Sequence, residues 1–173
     1  MSMKNGFKYC PHCGKHQNSC RHLVPFECIY CGFTFYQNAA AAVAGIIQFN
    51  DKILFTRREK TPGKGMLDLP GGFVDHSEPL EAALTREVRE ELGLNIVSWS
   101  YLSSGVNDYL YKDVLYHTCD AVFTTTLTSA PKIQKEDAEI SDIVWIDKNN
   151  VPFDEIAFDS LREALRLYLN EFS

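Results

Sequence analysis

Four glutamates and one arginine are gathered in a short stretch of the sequence: Glu78, Arg86, Glu87, Glu90 and Glu91. On a helix that turns by about 100° per residue, Glu87, Glu90 and Glu91 fall within one arc of about 100°. Like charges four residues apart repel each other, so the arrangement is costly unless something neutralises it. A hard divalent cation such as Mg²⁺ takes carboxylate oxygens and keeps water and substrate phosphates as its other ligands. These residue types therefore fit a metal site, with a solvated acidic face as the alternative interpretation.

A helix has to hold these carboxylates, and the flanking residues predict where it begins and ends. Ser77 is a good N-cap, Pro79 is tolerated in the first turn, and Gly93 suits a left-handed C-terminal stop. Apolar residues that recur at every fourth position form a stripe beside the acidic face: Leu84, Val88 and Leu92. One side of the helix should therefore dock on a core while the neighbouring side presents three carboxylates.

The spacing around the glutamates favours the metal site. From Gly72 to Leu94 the chain reads G-x5-E-x7-R-E-U-x-E-E-x-G-U, where U is aliphatic, and this is the signature of the Nudix hydrolases. With about 7% usage for each of seven fixed letters, a chance match is on the order of 10⁻⁸ per start position. The preceding residues 69–72, LPGG, also resemble the family's approach to the signature. The chain is therefore identified as a member of that family.

The resemblance implies an α/β (α+β) fold, an α/β/α sandwich around a mixed sheet. It also implies metal-dependent hydrolysis of a diphosphate linkage in a nucleoside diphosphate joined to another group, such as ADP-ribose, NAD(H) or a nucleotide sugar. The signature says little about which of these is the substrate. A different class of function is a nucleotide-sensing or RNA-binding module that binds without turnover. The complete set of glutamates argues against lost catalysis, and the lack of a strong basic patch argues against RNA.

The family pattern also assigns roles to the individual side chains. Glu87, Glu90 and Glu91 would hold Mg²⁺ or Mn²⁺, while Arg86 would orient a neighbouring glutamate. Glu78 would support the structure of the loop and helix, or bind metal through water. In such a site most of the catalysis comes from positioning and from neutralising the charge that develops on the phosphoryl oxygens.

The general base stays open between two residues, Glu90 and Glu139. In the family, a loop ahead of a Trp-containing strand often returns a carboxylate to the metals, and residues 134–142 form such an acidic loop here. Glu139 matches that position best by its spacing to Trp145, and Glu136 comes next. A surface charge run is an equal interpretation for each of these acidic residues.

Two C-x2-C-G turns near the N-terminus predict a second metal site. Cys10 and Cys13 are separated from Cys28 and Cys31 by fourteen residues. Two such turns facing each other give the closed Cys₄ geometry of structural Zn²⁺, with a redox pair or free thiols as alternatives. This segment has too few apolar residues to fold without a cross-link such as a bound metal ion. Other residues that could substitute as ligands are interpreted as loop residues outside the site: His12, His16, Cys20 and His22.

The pairing of this ribbon with the signature resembles the NADH pyrophosphatase group of the family. We expect a zinc ribbon over residues 1–36, a boundary near Gln37 and Asn38, and a Nudix hydrolase domain over residues 39–173. That group carries an SQPW-type motif after the signature, and no such motif lies between residues 103 and 115. Its absence argues against a preference for reduced dinucleotide.

Three residues are candidates for contacts with the substrate. Arg57 and Arg58 open a basic, glycine-containing loop over residues 57–65 that suits phosphate binding, although a solvated surface is an equal interpretation. Tyr109 could stack on a nucleobase, as could Tyr111, but packing within the strand region is slightly favoured.

The remaining pattern predicts the elements around the site. We expect a tight hairpin turn at Asn50 and Asp51, strands over residues 40–49, 52–57, 95–103, 115–127 and 143–146, and a second helix over residues 158–169. Residues 104–113 are expected to connect two of these strands.

The composition is that of an ordinary globular protein, with 173 residues, 23% charged and 45% hydrophobic. No apolar run is long enough for a bilayer and no secretory signal is visible, so we expect a cytoplasmic protein without membrane contact. In that compartment the six cysteines favour metal over disulfides. The net charge is −6, with +3 over residues 1–36, which is weak evidence for nucleic acid; the sequence leaves open whether the chain forms a homodimer.

Overall fold

The computed structural model of the chain describes residues 7–17, 25–112, 114–134 and 140–171. In these parts, a small two-stranded ribbon precedes a seven-stranded sheet. The strands are β1 (Phe26–Glu27), β2 (Thr34–Phe35), β3 (Ala40–Phe49), β4 (Lys52–Arg58), β5 (Leu67–Asp68), β6 (Gly71–Phe73), β7 (Ser100–Tyr111), β8 (Val114–Leu127) and β9 (Ile140–Asp147). The helices are α1 (Leu80–Leu92) and α2 (Asp159–Glu171), with short 3-10 turns at Lys148–Asn150 and Phe153–Glu155. No helix in these ranges is long and apolar enough to cross a membrane.

Strand β3 is the centre of the sheet, and its two edges are paired differently. Along one edge it runs parallel to β8 over its whole length. Along the other edge it pairs with β4 only beside the hairpin turn, at Gln48 and Phe49, and then with β6 from Ala42 to Ala44. Strand β4 pairs instead with β9 and β5, while β7 lies beyond β8. The sheet therefore divides where β3 and β4 separate.

Each face of the sheet buries an apolar cluster, because side chains alternate in direction along a strand. Val43 and Ile47 of β3 pack in one cluster, whereas Ala44 and Ile46 of the same strand pack in the other. Helix α1 contributes Ala83, Leu84, Val88 and Leu92 to the first cluster. Helix α2 contributes Leu161, Ala164, Leu165 and Tyr168 to the second. A mixed sheet between two helices confirms the predicted sandwich, and each fully buried Val, Leu, Ile or Phe side chain stabilises it by about 1.5–3 kcal/mol.

The first helix ends as predicted but begins later than predicted. Gly93 has a φ of 67°, and its N–H donates to the carbonyl of Arg89 at 2.9 Å, which is the expected left-handed stop. The prediction that Ser77 is the N-cap is wrong, because α1 begins at Leu80 and Pro79 takes the N-cap position. Proline disfavours helical backbone in the residue directly before it, so Glu78 stays in the loop, and Ser77 has a left-handed backbone with a φ of 69°.

The hairpin of β7 and β8 is longer than the sequence pattern indicated. Residues 95–99 belong to a loop, and β7 continues through the segment that was expected to be a connection. Its ladder with β8 extends to Tyr111 opposite Val114, beside Lys112 with a φ of 47°. The sequence pattern did not predict this part of the strand, because polar residues on both of its faces, such as Asn107 and Asp108, weaken the alternation of polar and apolar residues. The extra length matters because it forms one wall of the cavity described below.

The N-terminal ribbon has little apolar packing of its own. Its two strands pair Phe26 with Phe35, and the ring of Phe7 meets both at centroid distances of 5.3 and 5.4 Å. Phe7 and Phe35 are nevertheless exposed, so these contacts enclose no sizeable core. This agrees with the expectation that the segment depends on a cross-link to fold.

Candidate active site

Two glycines bring the backbone of β6 against the carboxylates of α1. The N–H of Gly71 donates to Glu91 Oε2 at 3.1 Å. A Cβ at Gly72 would lie 2.6 Å from the carboxyl carbon of Glu87, so only glycine leaves room for that carboxylate. A Cβ at Gly71 would lie 2.0 Å from the carbonyl oxygen of Val43. The LPGG segment thus allows an approach that any side chain would block.

The side chain of Arg86 connects the glutamates to one another. Its Nη2 donates to Glu78 Oε1 at 2.6 Å and to the carbonyl of Phe73 at 3.1 Å. Its Nη1 donates to Glu87 Oε1 at 2.8 Å and to Glu90 Oε2 at 3.2 Å. The bond to Glu78 is the largest cause that raises the pKa of Arg86, and the same bond lowers the pKa of Glu78. Arg86 therefore fixes several carboxylates at once, while one guanidinium leaves most of their charge uncompensated.

The donor set fits a hard divalent cation. Glu87 and Glu91 both line the same cavity, and the side chain of Glu87 is 14% exposed while that of Glu90 is 49% exposed. Their ligand atoms are all carboxylate oxygens, which Mg²⁺ and Mn²⁺ prefer. Within the described residues, only the cysteines bring three or more ligand atoms within 4.8 Å of one another. A cation that keeps several waters does not need its carboxylates to be so tightly gathered.

The cavity has a volume of about 660 Å³, which is in the range of small-molecule sites. It opens where β3 and β4 separate, with Glu87 and Glu91 at one side. Arg58 and Lys60 contribute positive charge to its lining, and Tyr109 lies on the wall formed by the hairpin of β7 and β8. The lining therefore combines an acidic side, basic side chains and an aromatic wall.

Arg58 is held rigidly at this cavity. Its Nη1 donates to Asp68 Oδ2 at 2.5 Å, and its Nε donates to the carbonyl of Pro62 at 2.7 Å. Its guanidinium also lies over the ring of Phe158, at 4.9 Å from the centroid. Burial raises the pKa of Asp68, although the neighbouring Arg58 acts in the opposite direction. Arg58 is thus positioned to meet an anionic ligand without a large loss of side-chain freedom.

Arg57 points elsewhere, although it is the adjacent residue. Its Nη1 donates to the carbonyl of Gly65 at 2.5 Å, and its Nη2 lies 3.6 Å from Glu155. It is not part of the cavity lining. Its role in substrate binding stays a prediction, and the structure does not bring it together with Arg58.

Tyr109 both packs and lines the cavity. Its ring centroid lies 5.7 Å from that of Phe73, 6.0 Å from that of Phe158 and 6.4 Å from that of Tyr111. The planes of Tyr109 and Phe158 differ by 28°, so the two rings are nearly parallel. Both interpretations of Tyr109 from the sequence, packing and stacking on a base, are compatible with this position.

The second candidate base cannot be placed. Glu139 and Glu136 lie outside the described residues, as do Cys20 and His22. Ile140, directly after Glu139, begins β9 and lines the cavity.

The four predicted cysteines come together in the ribbon. The sulfur atoms of Cys10, Cys13, Cys28 and Cys31 all lie within 4.8 Å of one another. The distances from Cys10 to Cys31 and from Cys13 to Cys28 are both 3.8 Å, too long for disulfides. His12 is not among these ligand atoms; its ring stacks on Phe33 at 5.6 Å instead. The cluster fits a Cys₄ zinc site.

Two of the four thiols, Cys28 and Cys31, have shifted pKa values. Burial raises the pKa of Cys28, but hydrogen bonds from the backbone of Tyr30 and Cys31 outweigh it and lower the pKa to about 6. The backbone of Phe33 lowers the pKa of Cys31, but burial and the neighbouring thiols raise it to about 12. The thiol of Cys31 therefore resists ionisation beside Cys28, and a bound Zn²⁺ would favour its thiolate form.

A family model for the NUDIX domain matches residues 37–168, which is most of the chain.

The chain belongs to the Nudix family.

Its relatives agree with this assignment. The ADP-ribose pyrophosphatase of Methanocaldococcus jannaschii is 36% identical over 127 residues, covering 73% of this chain and 72% of the relative. The NAD-capped RNA hydrolase NudC of Pseudomonas aeruginosa is 25% identical over 162 residues, covering 94% of this chain. That match covers 55% of NudC, so the chain spans about half the length of this relative. The crystal structure of a NUDIX hydrolase from Nitrosomonas europaea has a TM-score of 0.71 at 22% identity, covering 96% of this chain and 92% of that one, which shows the fold alone.

The Nudix assignment and the complete set of signature residues make the protein a pyrophosphohydrolase. All of Glu78, Arg86, Glu87, Glu90 and Glu91 are present and lie in one hydrogen-bonded region or on the adjoining cavity wall. The sequence analysis nevertheless missed three polar residues that line the same cavity: Asn107, Thr118 and Asp120. The signal that could have revealed them is the placement of Thr118 and Asp120 directly before the apolar run of residues 121–123 in β8, since polar groups beside a core need partners.

Proposed function

We propose that this Nudix enzyme hydrolyses the diphosphate linkage of a nucleoside diphosphate joined to a second group, such as ADP-ribose, NAD(H) or a nucleotide sugar. The observation that carries the proposal is one cavity lined by Glu87 and Glu91 on one side and by Arg58 and an aromatic wall on the other. The diphosphate would bind, through metal ions, at the side lined by Glu87 and Glu91, and the nucleoside would bind along the aromatic wall. The ADP-ribose pyrophosphatase among the relatives makes ADP-ribose the first substrate to test.

The reaction displaces one phosphoryl group by water, and charge builds on the oxygens of the transferred and leaving groups. When bound, Mg²⁺ or Mn²⁺ supplies positive charge for these oxygens and acidifies the attacking water. Glu87, Glu90 and Glu91 would hold the metal. Arg86 donates to Oε1 of Glu87 while the backbone of Gly72 lies close to the same carboxylate, so that its oxygens keep one orientation.

Glu78 has a supporting part in this arrangement. Its Oε1 accepts from the N–H of Asp75 at 2.8 Å as well as from Arg86, so it ties the loop before α1 to the arginine. The general base is Glu90 or Glu139. Of the three glutamates hydrogen-bonded to Arg86, Glu90 has the most exposed side chain, which gives it access to a water molecule.

We also propose that residues 1–36 form a zinc ribbon and that residues 39–173 form the Nudix hydrolase domain. The Cys₄ cluster would hold one Zn²⁺ in a closed tetrahedral site, which leaves no open position for chemistry. Its role would be structural, because the ribbon encloses no sizeable core of its own.

The experiment that tests the function is a turnover screen with Mg²⁺ over ADP-ribose, NAD⁺, NADH and nucleotide sugars, with Glu87→Gln as the inactive control. We expect hydrolysis of at least one diphosphate, and no strong preference for NADH, since no SQPW-type segment provides contacts for reduced nicotinamide. A preference for NADH above about tenfold, or about 1.4 kcal/mol, would contradict the second expectation. Tight nucleotide binding without any turnover would instead support the sensing or RNA-binding module.

A further inference from the structure

The Nudix cavity has a second polar side that the hydrolysis itself does not use. Thr118 and Asp120 lie two residues apart on β8, so they point to the same face of the sheet, and both line the cavity. They are 4% and 8% exposed. In the sheet, Ala42 of β3 is paired with Asp120 on one edge and with Phe73 of β6 on the other. Asp120 is thus two strand spacings, about 10 Å, from the strand that contacts the metal-site glutamates.

The carboxylate of Asp120 is firmly held by one oxygen and open at the other. Its Oδ2 accepts from Ser160 Oγ at 2.6 Å and from the side-chain amide of Asn107. Asn107 Oδ1 in turn accepts from the N–H of Ser160 at 3.2 Å. Within the described ranges, Oδ1 of Asp120 accepts no hydrogen bond. Asn107 and Ser160, which we call the clamp, therefore fix the carboxylate of Asp120 and leave its second oxygen for a ligand.

Thr118 offers a second polar group, its hydroxyl, at the same cavity wall. Its hydroxyl makes no hydrogen bond to any described residue. No fully buried side-chain nitrogen or oxygen in the described part of the chain lacks a partner, so this hydroxyl opens to the cavity. A ligand that covers this hydroxyl and the carboxylate oxygen of Asp120 removes them from water, which is costly unless the ligand forms hydrogen bonds with them.

The adjoining aromatic wall indicates the shape of that ligand. Tyr109 and Tyr116 are paired across the hairpin, two residues along each strand from Asn107 and Thr118. Both tyrosines line the cavity, as does Phe158, whose ring is nearly parallel to that of Tyr109. A flat group stacked on these rings would present its edge to the polar pair. A nucleobase has an apolar face and a polar edge, whereas a ribose has no face to stack.

We propose that this side of the cavity is the nucleobase subsite and that Asp120 selects bases with an exocyclic amino group over bases with a carbonyl at that position. The proposal rests on the proposed function, because it deepens the substrate class of the same site. An amino group donates to Oδ1 of Asp120, whereas a carbonyl oxygen would face a second acceptor and leave the carboxylate without a partner. Sites built to bond a polar group discriminate strongly against analogues that lack it.

The test compares ADP-ribose with inosine diphosphate ribose, which carries a carbonyl in place of the adenine amino group. The wild-type enzyme should prefer ADP-ribose by at least about tenfold in kcat/KM. Asp120→Asn keeps the size of the side chain and an acceptor for the clamp, but its amide can also donate. It should abolish or reverse the preference. Ser160→Ala is the matched control, because it removes the hydroxyl that donates to Asp120 and accepts from Asn107 but leaves the carboxylate in place; it should lower Tm while the preference persists.

Binding of AMP, IMP and 2′-deoxy-AMP, measured by calorimetry, provides a readout that does not need turnover. AMP should bind at least about tenfold more tightly than IMP to the wild-type protein, and about equally with IMP to Asp120→Asn. Equal binding of AMP and IMP by the wild-type protein would overturn the proposal, as would a preference that survives in Asp120→Asn. Loss of affinity for 2′-deoxy-AMP alone would mean that the ribose is read instead and would overturn it too. If no diphosphate is hydrolysed while AMP is preferred, the function fails and the base subsite stands.

Discussion

Substitution of Gly72 by alanine should damage catalysis while the fold survives. A Cβ at this position would lie 2.6 Å from the carboxyl carbon and Oε1 of Glu87 and 2.7 Å from Oε2. Non-bonded heavy atoms are comfortable at about 3.5–4.0 Å, so the carboxylate has to retreat by about 1 Å. Mg²⁺ demands near-ideal octahedral geometry, and a misplacement of about 1 Å in an active site can reduce the rate by about 10². We therefore expect kcat/KM to fall by about 10², or about 2.7 kcal/mol.

The stability of Gly72→Ala should be close to that of the wild-type protein. The φ of Gly72 lies outside the left-handed region, and the group that must move is the end of a flexible side chain. Gly71→Ala is the matched structural control, since its Cβ would strike the carbonyl of Val43 at 2.0 Å in a backbone with a φ of 152°. That variant should lose stability or fail to fold. The two neighbouring variants thus separate damage to the site from damage to the sheet.

A double-mutant cycle decides whether the loss in Gly72→Ala passes through Glu87. Steady-state hydrolysis of the best diphosphate from the screen is measured for wild type, Gly72→Ala, Glu87→Gln and the double variant at one Mg²⁺ concentration. Because the two residues are in contact, their effects should be strongly non-additive, and the double variant should be little worse than Glu87→Gln. Fully additive losses, or a Gly72→Ala enzyme within about threefold of wild type, would refute the reasoning.

Three further predictions test other parts of the structure. Glu90→Gln should lower kcat by at least about 10² with fold and zinc content unchanged, and a variant that keeps most of its activity would mean that the signature is not the site. Protein purified without added zinc should contain about one equivalent of Zn²⁺, whereas less than a tenth with freely titratable thiols would exclude a Cys₄ site. Arg86 and the Asp75 amide lower the pKa of Glu78 from its ordinary 4.5, so its stabilising contribution is present above that value and is lost as pH falls through the folded pKa. The difference in urea midpoint between wild type and Glu78→Gln should therefore shrink from pH 7 to pH 3, and a difference independent of pH would contradict this.

The sequence predicted the end of α1, its buried face and the cysteine cluster, because each depends on a local pattern that has one physical explanation. Gly93 ends α1 because a left-handed residue is needed there, and Leu84, Val88 and Leu92 face the core because they recur with the helical period. The four cysteines gather because each pair lies on one tight turn. The start of α1 was misplaced because two local signals compete at residues 77–79, and the backbone restriction from Pro79 overrides the capping tendency of Ser77.

The far side of the cavity could not be predicted, because it depends on contacts between residues distant in the chain. Ser160 is hydrogen-bonded to Asp120, which lies forty positions earlier in the chain, and to Asn107, which lies fifty-three positions earlier. No local period or spacing encodes such a contact. The different positions of Arg57 and Arg58 could not be predicted either. They are adjacent in sequence, but Arg58 lines the cavity, whereas Arg57 donates to the carbonyl of Gly65 outside it.

The separation of β3 from β4 explains how a single sheet can carry both sides of this site. Because β6 replaces β4 as the partner of β3, the backbone of Gly72 lies directly beside the carboxylate of Glu87 on one face. On the other face, residues of β3 with the opposite direction stand beside Asp120 of β8. A cavity that passes through the separation can therefore reach the metal-binding carboxylates of α1 and the clamp at α2 together. Under the proposed base selection, the chemical step depends on carboxylates of α1, whereas the choice of base depends on Asp120 of β8, which Ser160 of α2 holds in place. Variants at Asp120 should therefore change selectivity without removing the carboxylates that hold the metal.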